Sequence, residues 1–224
     1  LAPDEEPLAS VEEMAALYLE AVRAVRPRGP YLLGGWSLGG VIAFEMAQRL
    51  RRAGEEVALL ALVDTWAPLE GSRPGVAGDA DLLALLAEDL GYAGPEEELR
   101  ELREVLRVLP DGERIARFTE WMRGAAPDLP VPDPAEVPRR LAVYRATSRA
   151  VAEYGAAPYP GRITVLRASH GPPGDDPRLR WSRLSTEPLE VRTVPGTHHS
   201  IVREPGVRAL ADALLEPLRA SAPD

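Results

Sequence analysis

The stretch Tyr31-Leu32-Leu33-Gly34-Gly35-Trp36-Ser37-Leu38-Gly39-Gly40 constrains the fold more than any other part of the chain. Tyr31 to Leu33 is an apolar run of strand type. From Val41 to Arg52, apolar residues at Val41, Ile42, Phe44, Met46, Ala47 and Leu50 recur with the period of an amphipathic helix. Gly35-x-Ser37-x-Gly39 sits between them, in the strand-turn-helix setting that lifts a serine above a sheet. So sharp a turn strains the serine backbone, and Cβ atoms on its neighbours would collide. The hydroxyl then stands at a helix N-terminus, where free N–H groups and the helix dipole favour developing negative charge. A glycine-rich turn with an incidental serine would satisfy the bare pattern. The flanking strand and helix favour Ser37 as a nucleophile.

The rest of the chain arranges itself around that turn. Ser10 and Glu13 form a capping box that opens a helix through Met14, Leu17, Tyr18, Ala21, Val22 and Val25, ending before Pro27. Gly54 closes the helix after the turn. Val57 to Val63 is a continuous apolar run, the mark of a parallel strand covered on both faces, and it ends at Asp64. A Gly/Pro/Ser-rich linker follows. Next come four helical segments with no strand signal, at 79–90, from Pro95, at about 111–124, and through about 154. Their Phe118, Trp121 and Met122 read as the segment's own core. Strands resume at Ile163 to Leu166 and Leu189 to Val194. A last helix begins at Glu204-Pro205, with Val207, Leu210, Ala213, Leu214 and Leu218 facing inward. This order predicts an α/β fold, a doubly wound, mostly parallel sheet with an all-helical insertion. The core occupies residues 1–69 and 156–224, and the insertion 70–155.

Composition narrows the chemistry. The net charge of −9 argues against nucleic acid as a partner. All 26 basic residues are arginine, which excludes Schiff-base chemistry, and the absence of cysteine excludes thiol nucleophiles, disulfides and thiolate metal sites. No run is long and apolar enough to span a membrane and no leader is visible, so the expectation is a cytoplasmic protein without membrane association. A serine needs a base, and the chain has three histidines. His198 and His199 follow a late strand before the final helix. His170 lies in a Gly/Pro loop and reads as exposed. Two acids compete to orient the imidazole: Asp64, at the end of the strand after the elbow helix, and the pair Asp175/Asp176, after the next strand. Spacing alone does not choose between them. One oxyanion donor is expected from the backbone N–H of Leu38, the residue after the nucleophile.

Gly29-Pro-Tyr-Leu-Leu-Gly-Gly-Trp-Ser-Leu-Gly-Gly40, Ala61-Leu-Val-Asp64 and Val194-Pro-Gly-Thr-His198-His-Ser-Ile-Val202 resemble the thioesterase domains of nonribosomal peptide and polyketide synthetases. The resemblance implies the α/β-hydrolase fold with the helical segment as a mobile lid. It implies Asp64 as the acid and His198 as the base of a Ser37–Asp64–His198 triad, and Trp181, in a loop before the last strand, also fits the family pattern. It further implies release of an acyl or peptidyl chain from the phosphopantetheine thioester of a carrier protein, by hydrolysis or macrocyclisation. Phosphopantetheine arrives on the partner as a substrate handle, so no cofactor or metal is expected. A free-standing editing thioesterase, a carboxylesterase, or an impaired domain that only docks a carrier are the alternatives. Family members begin with strands and a His-Pro-x-Gly-Gly type loop that supplies the second oxyanion N–H. The residues before Ser37 match neither, so the sequence reads as a truncated domain.

Overall fold

In the computed structural model, the described residues are 6–69, 78–171 and 176–221. They form two compact units, one of residues 8–69 with 150–221 and the other of 6–7 with 78–149.

The first unit holds a four-stranded, wholly parallel sheet in the order β1 (Tyr31–Trp36), β2 (Val57–Val63), β3 (Thr164–Ala168), β4 (Glu190–Val194). Alternation along the strands divides their side chains between two cores. Tyr31, Leu33, Leu60, Leu62 and Val165 pack with α1 (Val11–Val25) and α2 (Leu38–Arg52). Leu59, Ala61, Val63, Leu166, Ala168 and Val194 pack on the other face with α8 (Gly206–Ala220). This two-faced burial is why Val57 to Val63 carries no polar residue. β1 is an edge strand, and Leu32 on it is half exposed.

Ser10 caps α1 as read, its Oγ accepting the Glu13 N–H at 3.1 Å. Glu13 reaches back one residue further than the capping box requires, accepting from Ala9 N–H at 3.1 Å. The buried stripe of α1 is Val11, Met14, Ala15 and Leu19, whereas Leu17 and Tyr18 are exposed and Val25 is 88% exposed. The large residues suggested a different face because Ala15 carries no bulk. It is fully buried, in the same core as Ala43 and Ala47 of α2. In α8, Leu210 is buried as expected, but Leu218 is exposed.

The second unit is helical: α3 (Asp79–Leu90), α4 (Glu96–Val108), α5 (Asp111–Ala125) and the larger part of α6 (Val137–Glu153). Its own core contains Leu83, Leu86, Leu99, Leu102, Leu106, Phe118, Met122 and Leu141, with Trp121 packed against it. Tyr92 lies 4.9 Å from Trp121, ring to ring, and its hydroxyl donates to Glu98 at 2.5 Å. This segment separates β2 from β3, which are nonetheless direct ladder partners. Among the described residues, no helix is long and apolar enough to cross a membrane.

Candidate active site

β1 feeds directly into Ser37, whose backbone sits at φ 55°, ψ −125°, outside the ordinary helix and strand basins. The geometry is held by its neighbours. Ser37 N–H donates to Val63 O at 3.0 Å, and its carbonyl accepts from Gly40 N–H at 3.1 Å. A Cβ at Gly35 would stand 2.1 Å from the Gly39 carbonyl oxygen, and one at Gly40 would stand 2.0 Å from Thr65 Oγ1. Gly39 corrects the expectation from the motif, because nothing lies within 4 Å of where its Cβ would be. Gly35 and Gly40 are the positions that need the missing side chain.

Asp64 follows β2 immediately and is also at positive φ, 44°. Its N–H donates to Leu166 O at 2.7 Å, tying the turn to β3. Its Oδ1 accepts the Ala168 N–H at 2.8 Å, and its Oδ2 lies 2.7 Å from His198 Nδ1. On the far side of the ring, His198 Nε2 lies 3.0 Å from Ser37 Oγ. A carboxylate only accepts, so Nδ1 carries the proton and Nε2 presents its lone pair to the serine hydroxyl. Burial opposes the Asp64 charge and is the largest single influence on it. The hydrogen bonds from His198 and Ala168, with the positive charges of protonated His198 and Arg167, outweigh it and hold the carboxyl below the ordinary range.

The turn that carries His198 is anchored at both ends. Gly196 is at φ +126°, where a side chain would be strained, and its N–H donates to Ser169 Oγ at 3.1 Å. His170 N–H donates to Gly196 O at 2.9 Å, so the loops after β3 and β4 are bonded to each other. Thr197 N–H donates to Ser200 Oγ at 2.8 Å, beside a 3₁₀ turn at Ser200–Val202. His170 is exposed, as read, and takes no part in the Ser37 relay. Its tethering role has no local signature, because the loops after β3 and β4 meet only across two parallel strands.

Of the competing acids, Asp175 lies outside the described residues. Asp176 caps the short helix α7 (Pro177–Trp181), its Oδ1 accepting the Arg178 N–H at 2.9 Å. Trp181 therefore ends a helix and not a loop. It is fully buried, donates from Nε1 to Thr65 O at 3.0 Å, and lies 5.3 Å from the Phe44 ring. It braces the chain just after Asp64. Leu38 is the first residue of α2, so its N–H is one of the helix's donors without an intrahelical acceptor. Among the described residues, no strand precedes β1 from which a second oxyanion donor would come.

A parallel sheet flanked by helices, with a serine on a strained strand-to-helix turn, defines an α/β-hydrolase-type protein. The chain matches the thioesterase domain family over residues 2–220 and belongs to it. It is 35% identical over 211 residues to the non-reducing polyketide synthase atnG of an Arthrinium species, covering 92% of this chain and 10% of that protein. It thus spans about a tenth of that relative's length. A four-domain nonribosomal peptide synthetase, solved bound to AMP and glycine, superposes with a TM-score of 0.79 at 29% identity, covering 96% of this chain and 16% of that one. The NocB thioesterase domain, solved as a covalent complex with a fluorophosphonate nocardicin G analogue, superposes with a TM-score of 0.65 at 29% identity, covering 97% and 78%.

Proposed function

We propose that this domain releases an acyl or peptidyl chain from a carrier protein's phosphopantetheine thioester through an acyl-Ser37 intermediate. The observation that carries the reading is the continuous relay from Asp64 Oδ2 through the His198 ring to Ser37 Oγ, at 2.7 and 3.0 Å. His198 Nε2 takes the hydroxyl proton as Ser37 Oγ bonds to the thioester carbon, and Asp64 holds the imidazolium that results. The Leu38 N–H stabilises the oxyanion of the tetrahedral intermediate. The carbon–sulfur bond then breaks, and the departing thiolate leaves as thiol with the proton from His198. In the second half, His198 takes a proton from water, or from a hydroxyl or amine of the bound chain, which attacks the ester and restores Ser37. The hydrolase core of residues 1–69 and 156–224 carries this relay. The helical segment 70–155 is the lid in this reading, and hydrolysis and macrocyclisation use the same relay and differ in whether the lid excludes water. The partner is a phosphopantetheinylated carrier domain, in keeping with the four-domain nonribosomal peptide synthetase that this chain resembles.

The test is intact-mass analysis after incubation with an acyl-phosphopantetheine thioester, beside Ser37→Ala, with a fluorophosphonate probe in parallel. The native chain gains one acyl group or one phosphonyl group at Ser37, and Ser37→Ala gains neither. A folded native chain that takes up neither reagent overturns the reading.

A further inference from the structure

The triad does not account for the rings around His198. Trp36, the last residue of β1, stacks on the His198 imidazole with centroids 4.9 Å apart and planes 30° from parallel. The same indole donates from Nε1 to the His198 backbone carbonyl at 3.0 Å. One side chain therefore grips both the main chain and the ring of the base. It comes from the residue before the nucleophile, so strand register sets the separation of Ser37 and His198. His199 lies beside both rings, edge-on to His198 at 5.0 Å and to Trp36 at 5.7 Å.

We infer that Trp36 is a positioning residue for His198, orienting the base through its N–H and stabilising the imidazolium form through its ring face. The inference rests on the acyl-transfer reading above. An indole face attracts a stacked cation, and the imidazole becomes cationic only while it holds the serine proton. The contact is thus stronger in the transition state than at rest, the condition for raising kcat and not merely binding. A purely structural tryptophan would fill space without that preference. The other groups facing the ring are the Asp64 carboxylate from the end of β2, the Ser37 hydroxyl from the elbow, and His199 from the same turn. Arg167 of β3 acts on Asp64, and His170 bonds the Gly196 carbonyl.

Trp36→Phe keeps a ring face and drops the N–H, whereas Trp36→Leu drops both. Trp36→Phe therefore loses less activity than Trp36→Leu, because the face that favours the cation remains. At the pH optimum, kcat falls roughly tenfold in Trp36→Leu while KM stays within about twofold. Histidine ring NMR supplies a readout on the unmutated protein. With three histidines in the chain, the His198 ring proton is assigned by its absence in His198→Gln and lies upfield from the indole ring current. A folded Trp36→Leu protein whose kcat stays within about twofold of the parent, or whose KM rises as much as its kcat falls, overturns the inference. So does a His198 resonance without that upfield displacement in the native protein, which decides the matter if the variants fail to fold. Failure of the underlying thioesterase reading is distinct: the native chain would then show no turnover and no labelling of Ser37, whatever the NMR shows.

Discussion

At the scale of single residues, the site consists of a few backbone positions held where side chains would not fit. Gly35 and Gly39 both belong to the serine motif, yet only Gly35 faces a backbone atom closer than van der Waals contact. Gly35→Ala pushes a methyl into the Gly39 carbonyl, and no rotamer relieves it. That variant loses Ser37 labelling and several degrees of Tm. Gly39→Ala retains the labelling and gains about 0.5–1 kcal/mol, the helix preference of alanine over glycine. Thermal melts with fluorophosphonate labelling of both variants check the contrast, and equal damage from the two would refute it. Sequence spacing made Ser37 and both candidate histidines legible, because a strand-to-helix serine and a late-strand histidine leave local signatures. Trp36 had none, since its contacts with His198 join residues 162 apart in the chain and depend on the fold. Asp64 and Asp175/Asp176 were equivalent by spacing. Only the fold brings Ala168 N–H and His198 Nδ1 to the two oxygens of one carboxylate.

At the scale of elements, a buried polar cluster fastens α2 to the residue just past α6. Glu45, almost wholly buried on α2, accepts from the Tyr154 hydroxyl at 2.8 Å and from Arg49 Nε at 2.7 Å. Gln48 Nε2 donates to the same tyrosine oxygen at 3.1 Å. Burial, then the hydrogen bond to Glu45 and its negative charge, push the Tyr154 phenol well above its usual range, so it remains a donor through alkaline pH. Tyr154→Phe removes a partner from two buried groups at once and costs about 1–3 kcal/mol, read from denaturant melts. Removing the exposed Arg208 of the Arg208–Glu204 pair leaves the midpoint within error. A Tyr154→Phe protein as stable as the parent would show that solvent reaches Glu45. Element identity was legible from the continuous apolar strand to the helical run of the insertion, but not for the short α7, which read as a loop. The facing of α1 was not, because hydrophobic bulk pointed to Leu17 and Tyr18 while close approach to another helix selected Ala15.

At the scale of the molecule, two units each with its own apolar core imply two levels of cooperativity. Native-state hydrogen exchange should resolve α3, α4 and α5 as one protection group and the four strands with α2 as another, each with its own denaturant dependence. A single shared dependence would refute this. The division was partly legible in the Gly/Pro/Ser shift after Leu69, since linker composition survives in sequence whereas contact between strands does not. The β2–β3 pairing has a kinetic consequence. These neighbouring strands are separated by about a hundred residues, so joining them from a flexible chain carries a closure entropy of roughly 4 kcal/mol. If the intervening helices consolidate first, through contacts that are mostly close in sequence, the effective loop shortens before the ladder zips. The insertion then acts as an internal clamp on the search for register, and the Asp64 turn, bonded at Leu166 and Ala168, is completed only once that search ends.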